Sequence, residues 1–143
     1  MPGQIQTLML KEHERISKFL EQLEKEIDHY DKTKLNFNKF KWNLEKHFFV
    51  EEKVIFSMFV NISGKETTDT FSLLSDHVKI VSMINNIENK LKNKIRPDLS
   101  RLKEVLIAHK DFENQEFYPK LDERLNPAQK KEISERVKEI ISG

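Results

Sequence analysis

The chain has 143 residues, with 25 Lys plus Arg against 24 Asp plus Glu and a formal net charge of +1; this balance excludes the concentrated positive field that a nucleic-acid or anionic-membrane partner requires. It contains no cysteine, which excludes disulfides, thiolate metal sites and a cysteine nucleophile together. Three Gly and four Pro supply too few turns for a β fold, whereas 34% charged and 37% hydrophobic residues suit long amphipathic helices with solvated outer faces.

The first apolar stripe is Ile5, Met9, Ile16, Leu20, Leu23 and Ile27, which predicts a helix from about Gln4 to Tyr30. His13 falls in the gap of that stripe. A second helix, about Lys34 to Asn61, carries Phe37, Phe40, Leu44, Phe48, Ile55 and Met58, with His47 and Glu51 continuing its inward face. Gly64 is its expected stop, and Thr67 or Thr68 the cap of the next helix.

The third helix, about Asp69 to Lys94, is expected to bury Leu74, Val81, Ile84 and Leu91, with His77 between the first two. The lysine-rich stretch Lys90 to Arg96 reads as its solvated end, and Arg96-Pro97-Asp98 as the break after it. A fourth helix uses Leu99, Leu102, Leu106, Phe117 and Leu121, interrupted inward by His109 and Glu113, and Pro119 should kink or loosen its last turns. Asn126-Pro127-Ala128-Gln129 has the pattern of a cap, a first-turn proline and an N3 glutamine, so a short helix follows to about Ile141.

Short connections make sequential helices antiparallel. The expected fold is therefore all-α, a single domain over 1–143. It is an up-down-up-down four-helix bundle over about residues 4–123 with a short C-terminal fifth helix over about 127–141. The N-terminal MPGQIQTLML lacks the pattern of a signal peptide. No apolar stretch approaches the roughly 20 residues that span a bilayer. A cytoplasmic location, with neither a membrane nor a nucleic-acid partner, is the expectation; oligomeric state is not legible.

His13, His47, His77 and His109 recur at intervals of 34, 30 and 32 residues. In an antiparallel bundle, the rise of 1.5 Å per residue puts them, with Glu51 and Glu113, in one layer roughly 12–21 Å below the end where the first helix begins. Imidazole and carboxylate suit iron, manganese or zinc. A His and a Glu four residues apart share a helix face, and each carboxylate has two oxygens with which to bridge two ions. Two nitrogens, two bridging oxygens and a solvent-derived oxide or hydroxide then surround each ion, with one position open. Buried carboxylates are costly unless paired or metal-bound. These six residues are the candidate ligands of a dinuclear metal site.

The fifth histidine, His29, lies 16 residues beyond His13, roughly 24 Å along the helix, and reads as a surface residue. Glu52 and Glu116 point off the stripe, as surface acids or as outer partners of the ligands. Tyr118 and Trp42 read as helix-margin packing, with donation to a ligand's partner as the alternative. Phe48, Val81, Leu44, Leu74, Leu106 and Phe112 are the expected walls of the site.

The segments KEHERI, HFFVEEKVIF (from His47), SDHVKI and HKDFENQEFYP (from His109) make the chain resemble haemerythrin-like proteins of the His-His-Glu cation-binding type, over about Leu8 to Glu123. The resemblance implies a four-helix bundle around two non-haem iron ions, oxo- or hydroxo-bridged, held by His13, His47, Glu51, His77, His109 and Glu113. It implies binding of a small diatomic ligand, dioxygen or nitric oxide, for sensing, storage or stress response. The alternatives it leaves open are a di-iron enzyme acting on peroxide or nitric oxide with a redox partner, and an iron-donating repair protein. The oxygen carriers of the family have a second histidine where this chain has Val81, and an aspartate where it has Asn114. A near-symmetric set of four histidines and two glutamates, open at both ions, weighs against reversible dioxygen carriage.

Overall fold

The computed structural model describes residues 3–63 and 68–142, and these form helices with no strand among them. Helix α1 (Gln4–Lys25) is followed by a rod made of α2 (Tyr30–Val50), a π-helical turn π1 (Glu51–Phe56) and α3 (Ser57–Ser63). Next come α4 (Thr68–Lys92) and a second composite rod of α5 (Ser100–Phe112), π2 (Glu113–Phe117) and α6 (Tyr118–Arg124). The last helix is α7 (Pro127–Ser142). Helix α1 packs on α2, α2 on α4, α4 on α5, and α6 back on α1. The four rods thus close into an up-down-up-down bundle, and the short α7 lies against α1, α2 and π1.

The expected face of α1 is the buried one, from Ile5 through Met9, Ile16 and Leu20 to Leu23. The helix ends at Lys25, short of Tyr30, and α2 begins at Tyr30, ahead of Lys34. The turn contains no Gly or Pro. It forms because the Glu26 carbonyl accepts from both the His29 amide, at 2.9 Å, and the Thr33 hydroxyl. The expected stop at Gly64 and cap at Thr67 lie outside the described residues.

On α4 the inward face is Thr70, Leu73, His77, Ile80, Ile84, Ile87 and Leu91. This corrects two expectations: Leu74 is only partly buried and Val81 is 41% exposed. Steps of three and four that alternate keep a stripe on one side, whereas 77 to 81 drifts about 40° off it. The cap of α7 is the reciprocal one expected: the Asn126 amide donates to Gln129 Oε1 at 2.9 Å, and the Gln129 amide to Asn126 Oδ1 at 2.8 Å.

Two apolar cores fill the bundle. One contains Ile5, Met9, Val54, Ile55, Phe59, Leu73, Phe117 and Leu121, sealed by Ile133 and Val137 of α7. The other contains Ile16, Leu20, Phe37, Phe40, Leu44, Ile84, Leu91 and Leu102. His13 lies between Met9 and Ile16 on α1, and His77 between Leu73 and Ile80 on α4. The polar layer therefore sits where the two cores meet.

Candidate metal centre

Both ligand-pair rods lose α-helical geometry at the same place. π1 begins at Glu51 and π2 at Glu113, each four residues after its histidine. A π turn bonds i to i+5 and is wider than an α turn, so inward positions fall on consecutive residues. Val54, Ile55 and Phe56 are accordingly all buried, as are Phe117 and Tyr118. Pro119 is the second residue after π2, and the loosening expected of it takes this form. No proline lies in π1, so proline alone is not the cause; the shared feature is the His-x-x-x-Glu step.

The structure brings all six candidate residues into one buried cluster: His13, His47, Glu51, His77, His109 and Glu113 are each at most 6% exposed. Glu51 Oε1 lies 3.1 Å from His47 Nε2 and 3.3 Å from His77 Nε2. Glu113 Oε1 lies 3.1 Å from His13 Nε2 and 3.4 Å from His109 Nε2. Two groups of donor atoms, each mutually within 4.8 Å, have cation-binding proportions: Glu51, His77, His109 and Glu113, and His13, His47 and Glu113. Glu113 belongs to both.

Burial is the largest influence on Glu51 and would raise its pKa, but His47 and His77 together outweigh it and hold the carboxyl well below the usual range. Burial pushes His13 down to about 3 and lowers His109 as well, so both favour the neutral imidazole that binds metal. Glu51 Oε1, His77 Nε2, His109 Nε2 and both Glu113 oxygens are buried without a hydrogen-bond partner among the described residues. Orphaned buried acceptors of this kind are costly. Acceptors converging on one point are the donor set of a bound cation, and they fit one.

Behind the cluster, outward Nδ1 atoms fix ring orientation. Asparagine Oδ1 and ionised carboxylates only accept, so the imidazole Nδ1–H groups donate. His13 donates to Asn114 Oδ1 at 2.9 Å, His77 to Glu52 Oε1 at 3.2 Å, and His109 to Asp76 Oδ2 at 2.9 Å. Each arrangement leaves an Nε2 lone pair facing inward. Tyr118 is no helix-margin residue: it is fully buried and its hydroxyl donates to Glu51 Oε2 at 2.6 Å. Burial first, then the Glu51 charge and hydrogen bond, raise the phenol well above its usual pKa.

Glu52 is thus an outer partner, while Glu116, His29 and Trp42 are exposed. Asp76 and the buried Glu12, which pairs with Arg15 at 2.8 Å, escape sequence reasoning. Asp76 adjoins His77 in sequence yet serves His109 on the next helix, and only the packing of α4 on α5 reveals it.

A half-enclosed cavity of about 50 Å³ reaches the cluster. Leu44, Phe48 and Leu106 wall it as expected, with Ile16, Leu20 and Ile107. The other three expected walls lie elsewhere: Leu74 and Phe112 pack on the core sealed by α7, and Val81 lines an outer groove with Phe49 and Val78. The volume suits a molecule of two or three heavy atoms, far below the roughly 300 Å³ or more of metabolite pockets. No described helix is long and apolar enough to cross a membrane.

Residues 4–121 match the Hemerythrin HHE cation binding domain family. No curated protein and no solved structure matches the chain.

Proposed function

From a chain that belongs to the Hemerythrin HHE cation binding domain family, we propose a cytoplasmic non-haem di-iron protein that binds dioxygen or nitric oxide for sensing, storage or stress response. His13, His47, Glu51, His77, His109 and Glu113 would hold the two irons, and Glu113 is common to both donor groups. The observation that carries this reading is the convergence of imidazole and carboxylate donors from four rods in one buried cluster, five of their atoms lacking a hydrogen-bond partner among the described residues. Bound iron supplies Lewis acidity and accessible electrons to a small ligand.

The chain supplies the rest. Leu44, Phe48 and Leu106 keep the approach apolar and narrow, which admits a diatomic molecule and excludes larger ones. Outside the cluster, Ser17 and Lys110 are the polar side chains lining that cavity among the described residues. No carboxylate or imidazole outside the ligand set lines it among the described residues, which favours binding over turnover of peroxide or nitric oxide. Tyr118 holds Glu51 Oε2 and directs Oε1 toward His47 and His77.

The test is metal content by elemental analysis on protein expressed with iron, with the ultraviolet–visible spectrum recorded in air and after reduction. About two irons per chain and bands that bleach on reduction and return with dioxygen support the proposal. Zinc alone, or less than one metal per chain, overturns it. Multiple turnover of peroxide or nitric oxide by the iron-loaded protein supports the enzyme reading instead.

A further inference from the structure

Helix α2 carries an internal repeat that the buried cluster does not use. Asp31-Lys32-x-x-Leu35, Asn38-Lys39-x-x-Trp42 and Glu45-Lys46-x-x-Phe49 follow one another at seven-residue spacing. Seven residues are nearly two turns, so Leu35, Trp42 and Phe49 form one stripe. The three lysines run along one flank of it, and Asp31, Asn38 and Glu45 along the other. The stripe lies opposite the face of Phe37, Phe40 and Leu44, which fills the core. Leu35, Trp42 and Phe49 are accordingly 56%, 63% and 50% exposed. A fourth copy, Glu52-Lys53-x-x-Phe56, follows in sequence but falls in π1, whose wide turn carries Phe56 into the core. The exposed seam therefore ends where the helix geometry changes. Beside α2, α4 adds exposed Phe71 and Val78, themselves seven residues apart. Of the eight large hydrophobic side chains exposed among the described residues, six lie on α2 and α4. Single exposed apolar side chains are ordinary, whereas a row of them marks a contact surface.

A helix with an apolar residue every seven positions and charged flanks packs against another helix of the same period. Charge decides which one. In a parallel two-fold pair of α2 helices, each flank faces the opposite flank of the copy at the same height. Lys46 then lies beside Glu45 of the second copy, Lys39 beside Asn38 and Lys32 beside Asp31, while Trp42 meets Trp42. An antiparallel pair sets lysine row against lysine row instead. Lys46 donates to the Ile141 carbonyl at 2.7 Å, and Glu45 pairs with Lys41 only at 3.8 Å. An ammonium has three hydrogens and a carboxylate two oxygens, so both retain capacity for the copy. We propose that this face of α2 docks on a second copy of the chain, parallel to it and about a two-fold axis along the helix.

The experiment is sedimentation equilibrium of the full chain as purified, over a wide concentration range, together with site-directed cross-linking. A monomer–dimer equilibrium is expected. Trp42→Lys should weaken it by at least about 30-fold, the loss of a central aromatic anchor, and helical circular dichroism should be unchanged because Trp42 lies outside both cores. The chain has no cysteine, so single cysteines report the orientation without background. Leu35→Cys and Phe49→Cys each face their own copy in the parallel pair, and a short bis-maleimide should link each variant to itself. In an antiparallel pair Leu35 would face Phe49 and lie roughly 21 Å from its own copy, so only a mixture of the two variants would link. Arg101→Cys, exposed on α5, should remain as single chains under the same treatment. A monomer at every concentration, a dimer unmoved by Trp42→Lys, or linking found only in the mixture overturns the proposal.

Discussion

The Tyr118 hydroxyl donates to Glu51 Oε2 at 2.6 Å, joining two fully buried residues on opposite ligand-pair rods. The bond fixes which Glu51 oxygen is free for the cluster, and it depends on π2, whose wide turn brings Tyr118 inward beside Phe117. Tyr118→Phe leaves the ring packing intact and strips Glu51 Oε2 of its donor. Loss of one buried bond to a charged acceptor should cost about 1–3 kcal/mol in the metal-free protein, read as a lower urea midpoint at unchanged m. The metal-loaded variant should keep its stoichiometry and shift its visible bands, because Glu51 gains freedom to reorient.

Glu113 contributes to both donor groups, whereas Glu51 contributes to one. Glu113→Ala should therefore remove more metal than Glu51→Ala, to below one ion per chain against about one. His29→Ala should change neither stoichiometry nor spectrum, since His29 is exposed at the start of α2. Elemental analysis of the three variants checks the ranking. Metal loss in His29→Ala would mean that the register of α1 against α2 is other than described.

Removing the metal leaves buried carboxylate oxygens and imidazole nitrogens that face one another without partners. Such groups destabilise a fold unless an ion compensates them, so the chelated protein should melt lower and recover on addition of metal. Mass action sets the scale: each ion present at 100 times its Kd adds about 2.7 kcal/mol. Calorimetric melting with and without chelator is the check. A melting temperature indifferent to metal would mean that the cluster satisfies itself.

The helices, their order and the six inward polar residues are legible in the sequence because they obey one local rule, apolar steps of three and four interrupted at a common height. What is not legible depends on two helices at once. Asp76 reads as a solvated neighbour of His77 until α5 brings His109 against it. Tyr118 reads as marginal because 3.6-residue counting from Glu113 does not foresee a wider turn. Val81 fits a stripe with Ile84 and Leu91, but the competing series through Leu73, Ile80 and Ile87 buries more apolar surface. The end of α1 is hidden because Glu26, His29 and Thr33 build the turn by hydrogen bonding, without Gly or Pro.

The start of α1 depends on a residue more than a hundred positions away in sequence. Asp122 of α6 accepts from the amides of Ile5 and Gln6, both at 2.9 Å, where a helix otherwise leaves its first N–H groups unpaired. A Cβ built on Gly3 would lie 2.3 Å from the Asp122 carboxyl, so the close approach requires glycine. Asp122→Ala should cost about 1.5–3 kcal/mol, the scale of hydrogen bonds to a charged acceptor. Gly3→Ala should be destabilising in the same direction, since the carboxylate must move off its two amides. If the two effects arise from one contact, the double variant should fall short of their sum.

Helix α4 ends in a left-handed residue that is not glycine: Lys94 has φ 57°. The Ile95 amide reaches the Lys90 carbonyl at 2.8 Å and the Lys94 amide the Leu91 carbonyl at 3.1 Å, the closing pattern that favours glycine at this position. A side chain there costs about 1 kcal/mol through the crowding of its Cβ. Against this, the Lys94 ammonium sits 6.0 Å from the centre of the Tyr30 ring, at the outer limit of a cation–π contact and so at the low end of its exposed range, about 0.5 kcal/mol. The backbone term is the larger, so Lys94→Gly should stabilise the protein by about 0.5 kcal/mol, read from the urea midpoint. Metal content should not change, because Lys94 lies 17 residues beyond His77, roughly 25 Å along the chain. A destabilised variant would show that the Tyr30 contact outweighs the strain.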